Sequence, residues 1–312
     1  MVKVNSRFKR FVKIGEKITG RAEKITLPFF DGVPLYDVAV FFWKSIYSGA
    51  ITTRASAIAF SFFMALFPFI IFLFTLIPTI QAEHFQEELF LLIQQFIPPD
   101  VFKTIEVPLT EIIDKTHKEW STLGFFLALI FSTNGLASMM SAFDATVNSI
   151  YRRTWISQRI TAIIMLFVLS FLLTLAITLL IGGQDLIRLL ENKGFLQDHF
   201  TVYILTVGKW IIIIALFFFA YSFLFYMAPA KKTKWRFISA GGTLSTLLSI
   251  IAFASFSYYI NNFSRYNVLY GSIGTILIVL LLIYLTSLIL LVGFELNASI
   301  YSARTKNENE ED

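Results

Sequence analysis

Cysteine is absent from this chain, which rules out a disulfide, a thiolate metal site and a cysteine nucleophile. Histidine is nearly absent: His84, His117 and His199 are far apart in sequence. A hydrolytic zinc centre gathers histidine and carboxylate ligands around an activated water, and the sequence spells out no such cluster. No phosphate-cradling glycine loop and no Ser-His-Asp order occurs either. Charge is scarce too. Asp, Glu, Lys and Arg make up 15% of the 312 residues, against about 25% in soluble domains. The expectation is a protein that is not an enzyme, binds no cofactor or metal, and has no nucleic-acid partner.

What fills the space is apolar. Arg54 and Glu83 bracket 28 uncharged residues, Glu119 and Asp144 bracket 24, Arg159 and Asp185 bracket 25, and Lys209 and Lys231 bracket 21. Residues 237–294 hold a single charge, Arg265, so this block reads as two runs joined there. A spanning helix needs about 20 apolar residues. The fold class that follows is all-α: a polytopic six-transmembrane-helix bundle with interfacial amphipathic helices. The spans fall at about 55–80, 120–143, 160–184, 209–228, 237–261 and 267–294. They form one membrane domain, 51–300, with a basic amphipathic segment (1–50) before it and an acidic tail (301–312) after it. No cleavable leader is expected at the start, because no apolar core with a small-residue cleavage site follows the basic stretch.

Lys and Arg gather on the cytoplasmic side of membrane proteins. Alternate connections here hold 19 and 7 of them, with Lys231, Lys232, Lys234 and Arg236 in one short acid-free loop. Both termini are therefore placed in the cytoplasm, and loops 81–119 and 185–209 outside. Between residues 4 and 25, Phe8, Phe11, Ile14 and Ile18 recur at helical spacing among lysines and arginines. Two readings stand for this segment: a helix lying on the anionic lipids of the cytoplasmic leaflet, or a basic arm that only sets topology. Tyr36, Val40, Trp43 and Tyr47 continue as an interfacial helix. Loop 81–119 carries apolar stripes interrupted by Pro98-Pro99 and reads as a small helical cap.

Three groups of polar residues are candidates for function. Asn134, Ser138, Ser141 and Asn148 fall at i, i+4, i+7 and i+14, and the face continues to Arg152. It either lines a hydrated cavity or serves as interhelical packing. Asn261, Asn262, Arg265, Asn267 and Tyr270 cluster at the outer turn, as an outer vestibule or as a hairpin whose arginine reaches water. Arg54 opens the first span and Glu295 closes the last at the same depth, as a cytoplasmic ion pair that is either a clasp or a gate. Asp144 and either Arg152 or Arg153 are expected to find partners on another helix.

The segment NNFSRYNVLYGSIGTILIVLLLIYLTSLILLVGFELNA (261–298) resembles the closing signature of the YihY/BrkB membrane proteins, formerly called ribonuclease BN. RASAIAFSFFMALFPFIIFLFTLIP (54–78) is similar to that family's opening motif, and Asp144, Asn148, Tyr151, Arg152 and Arg153 fit its second connection. The resemblance covers 51–298, with Leu282 standing where an aromatic residue is expected. It implies a six-helix protein of the bacterial inner membrane, tied to the cell envelope. Two functions compete: transport or export of a lipid-like or polar envelope solute, and a non-catalytic scaffold for envelope assembly or integrity. Expected partners are membrane lipids and, as an open option, further copies of the chain. The topology is checked by placing single cysteines at His199 and Lys232. The two are expected to react with an impermeant thiol reagent from opposite faces of the membrane.

Overall fold

The computed structural model describes residues 25–27, 29–48, 50–76, 122–146, 153–192, 199–230, 238–262 and 265–311. These form seven helices and no strand: α1 (Leu35–Ser48), α2 (Ile51–Leu76), α3 (Thr122–Thr146), α4 (Trp155–Asn192), α5 (His199–Met227), α6 (Ala240–Asn262) and α7 (Arg265–Glu311). The basic start, the outer loop 81–119 and the loop 231–237 lie outside the described residues.

Five of the described helices are long and apolar enough to cross a membrane; the count is six when α1 and α2, which meet at a 65° bend, are taken together. Without hydrocarbon around it no such run of exposed backbone-satisfied apolar surface would persist in water, so the all-α, multi-span class expected from the runs is the one observed. The α2 helix alone has 26 residues, about 39 Å at 1.5 Å per residue, which exceeds the ~30 Å hydrocarbon core. Residue Ala50 makes the bend. It adopts φ 45°, and its carbonyl accepts the first backbone bond of α2, from Arg54 at 3.0 Å.

Several helices outrun the apolar stretches that announced them. The α4 helix continues to Asn192, and α7 runs 47 residues to Glu311, through most of the expected tail. Charges mark where a helix leaves hydrocarbon; they do not end it, because Glu, Lys and Arg are good helix formers. The extension of α7 beyond its apolar run is used. Ile300 and Ala303 pack with Phe30, Val33, Val38 and Ala240 in a small second core. This leaves the other flank of α1, with Val40, Trp43 and Tyr47, exposed. Exposed aromatics recur at the opposite end as Tyr203, Trp210 and Tyr258. Two such belts are the mark of the two membrane–water interfaces.

Each helix from α2 to α7 packs on its neighbour in the chain, and α7 closes the ring against α2 while also reaching α3. The main core draws on α2, α3, α4, α5 and α7, with Ile58, Met139, Met165 and Leu291 fully enclosed. At the end of this core nearest Glu295, Phe143 and Phe294 stack with centroids 4.0 Å apart, and Phe225 leans on both at 5.9 and 6.1 Å.

Lipid tails are as apolar as leucine, so helices in a membrane associate through close packing and polar contacts. Small residues supply the closeness. A Cβ on Gly135 would strike the Phe62 ring between α2 and α3, and one on Gly293 would strike Ser245 Oγ and the Gly241 carbonyl between α6 and α7. A Cβ on Gly208, in α5, would meet nothing within 4 Å. Gly293→Ala is therefore expected to destabilise by about 1–3 kcal/mol, the usual cost of overpacking. Gly208→Ala is expected to leave stability unchanged or raise it. The thermal midpoint of detergent-solubilised protein separates the two.

Candidate functional site

The candidate site is built at the charge-rich end of the ring, where four helices meet on one carboxylate. Glu295 lies in α7 with no exposed surface. Its Oε1 receives Arg54 Nη2 of α2 at 2.5 Å and Thr146 Oγ1 of α3 at 2.9 Å. Its Oε2 receives the Ser45 hydroxyl of α1. Arg54 Nη1 donates to the Ala142 carbonyl at 3.1 Å and to Thr146 Oγ1 at 2.5 Å. Among the described residues, Arg54 Nε is buried without an acceptor. The structure thus brings Arg54 and Glu295 together. Ser45 and Thr146 escape sequence reasoning because single hydroxyls are common in spans. Their one signal is position, each in the last turn of its helix with a charged residue one or two places before it.

The energetics are those of a clasp. Removing one partner of a buried pair costs ~3–5 kcal/mol, because the other charge is stranded, whereas replacing both with apolar groups is far milder. The stacked Phe143 and Phe294 rings are buried close by, Phe294 next to Glu295 in the chain and Phe143 three residues before Thr146.

A second group fastens α5. Arg153 donates to three carbonyls at the end of that helix, Met227, Ala228 and Pro229, at 3.1, 3.1 and 2.8 Å. The cation meets the orphan carbonyls at the negative pole of the helix. Burial pulls the Arg153 guanidinium below its ordinary value, and the Asp144 carboxylate pulls it back up. Asp144 accepts from the Ala230 amide at 2.7 Å. The partners of Asp144 and Arg153 are therefore backbone groups following another helix. A third group fastens α6: Ser239 Oγ caps Gly242 N at 3.0 Å, and Asn297 of α7 takes Gly241 N at 2.8 Å and donates to Ser239 Oγ at 3.2 Å.

The expected polar face of α3 is only partly described. Asn134 and Ser141 are exposed and Ser138 is half-buried between them. They border α4, not the enclosed core. Arg159 Nη1 donates to Asn134 Oδ1 at 3.0 Å, Thr133 Oγ1 at 2.6 Å and the Ile130 carbonyl at 3.2 Å. Gln158 Nε2 donates to Ser141 Oγ and the Ala137 carbonyl, both at 3.1 Å. The guanidinium of Arg159 also lies 5.5 Å from the Trp155 ring centroid. In the sequence Arg159 marks only the edge of a span; four residues after Trp155, it extends the polar face from the neighbouring helix. Asn148 and Arg152 lie outside the described residues. Asn261 and Asn262 end α6, and Arg265, Asn267 and Tyr270 begin α7; their side chains lie outside the described residues. Among the described residues no three His, Asp or Glu side chains gather as a metal site would require.

Comparison with known proteins agrees with the membrane architecture. The family model described as virulence factor BrkB matches residues 42–312. The ribonuclease-like protein YfkH of Bacillus subtilis is 25% identical over 252 residues, which cover 81% of this chain and 90% of that protein. A UPF0761 membrane protein of Tolumonas auensis is 22% identical over 280 residues, 84% of each chain. Another, from Idiomarina loihiensis, is 30% identical over 166 residues, 52% of this chain and 56% of its own. No solved structure matches.

Arg54→Leu is expected to lower stability by about 3–5 kcal/mol, while the double variant Arg54→Leu/Glu295→Leu recovers most of that loss. Thermal midpoints of the two singles and the double in detergent measure the coupling.

Proposed function

This chain belongs to the BrkB family of multi-pass bacterial membrane proteins, and from that premise we propose that it transports or exports a lipid-like or polar solute of the cell envelope. One observation supports this reading above others. The polar residues of α3 lie on an exposed flank, beside Gln158 and Arg159 of α4. Polar groups within a membrane-spanning stretch are expensive and tend to mark substrate paths. A hydrophilic groove along the flank of a bundle suits an amphiphile, whose head travels in the groove while its tails stay in lipid.

A second reading has its own observation. Glu295 is enclosed and satisfied by three helices, and stacked phenylalanines seal the space beside it. A closed, clasped end suits a scaffold for envelope assembly. Catalysis forms no part of the proposal; the ribonuclease-like wording belongs to the Bacillus relative.

Purified protein reconstituted into liposomes distinguishes the readings. Transport predicts faster movement of a fluorescent phospholipid, or uptake of a polar solute, than in empty liposomes. Asn134→Leu/Ser141→Leu, which removes the α3 side chains that face Gln158 and Arg159, is expected to slow that movement roughly tenfold, about 1.4 kcal/mol in the barrier. Arg265→Ala tests the outer turn in the same assay. Rates equal to those of empty liposomes would leave the scaffold.

A further inference from the structure

Arg159 differs from the other described arginines that contact the spans. Arg54 has a carboxylate, and Arg153 has a helix terminus with Asp144 nearby. Every acceptor of Arg159 is neutral: a carbonyl, a hydroxyl and an amide oxygen. All three are served by Nη1, so the Nε–Nη2 edge has no protein partner among the described residues. That edge is the fork of a guanidinium that fits two oxygens of a phosphate or carboxylate.

The depth sharpens the point. Asn134 is twelve residues from the end of α3 at Thr146, about 18 Å along the helix axis at 1.5 Å per residue. A hydrocarbon core is ~30 Å thick, so this cation is held within the span. It does not stretch toward the cytoplasmic surface; it reaches along α3 in the opposite sense, to Ile130 and Asn134. A cation so placed calls for a counter-charge, and the described protein supplies none. The surface around it suits an amphiphile. Leu127, Ile130 and Phe131 of α3 and Ile156, Ile160 and Phe167 of α4 are all exposed apolar side chains.

We propose that the α3–α4 groove binds the phosphate of an anionic membrane phospholipid, taken by the open edge of Arg159 with Asn134 beside it, and with the acyl chains lying on the exposed apolar faces of the two helices. The guanidinium lies over the Trp155 ring, 5.5 Å from its centroid, within cation–π range. The inference deepens the transport reading and rests on the same groove, but binding and movement are measured apart.

Native mass spectrometry of delipidated full-length protein, titrated with phosphatidylglycerol or phosphatidylcholine, reads the binding. The wild-type protein is expected to retain phosphatidylglycerol about tenfold more tightly, the scale of one charge-assisted contact. Arg159→Gln is expected to abolish the preference. Asn134→Asp provides a second route should that variant fail to fold, since it places an acid beside Arg159 and occupies the cation in place. Equal retention of both lipids by wild type, or persistence of the preference in either folded variant, overturns the proposal. Displacement of bound lipid by millimolar inorganic phosphate would also overturn it, because a soluble anion would then be the ligand. Preferential binding without any acceleration of lipid movement in liposomes removes the transport reading and leaves the site. Movement without the preference removes the site alone.

Discussion

A carboxylate enclosed in an apolar bundle has to be compensated where it sits, and one end of this protein is arranged around that requirement. Glu295 cannot reach water, so α1 brings a hydroxyl, α2 a guanidinium and α3 a second hydroxyl. Each of those groups is placed by its own helix. The direction in which α1 leaves α2, the register of α3 on α2 and the height of α7 are therefore fixed together. The ion pair adds little net stability beyond what a packed apolar replacement would give. Its contribution is specificity: among the ways six apolar rods can associate, few bring all four groups within reach.

Away from that point the bundle is held by shape. Glycines at the α2–α3 and α6–α7 crossings bring the helices close. Hydroxyls and amides then stitch neighbouring helices, as Asn297 does for the start of α6 and Ser245 for the Ile289 carbonyl at 3.3 Å. Tyr221 and Ser249 do the same between α5 and α6 at 2.5 Å. Fixed helix ends and fixed crossings leave the α3–α4 flank as the place where polar groups face outward.

The fold was largely legible in the sequence because hydropathy acts over twenty residues at a time. Runs without charge exposed the spans. Arg54 and Glu295 were legible as a pair because topology puts both at one depth. The limits of α4 and α7 were not, since helix propensity persists past the edge of the membrane. Nor were Ser45, Thr146 and Gln158, whose importance arises only when helices distant in sequence meet. The carbonyl partners of Arg153 leave no trace in side-chain spelling at all. On the polar face of α3, the spacing of Asn134 and Ser141 identified a shared side. Which side it was depended on α2 and α7 taking the other one.

The contact that joins the first and last spanning helices links residues 241 positions apart. At about 5–20 residues per second, a ribosome needs roughly ten to fifty seconds to make the chain between them. Throughout that interval Arg54 is in or beside the bilayer with its acid not yet synthesised. Its location one residue-turn inside the start of α2, next to the headgroups, makes the delay tolerable. The ring is thus an object whose fastening is its final-born part. A nascent protein truncated before α7 would keep a stranded cation and an open seam.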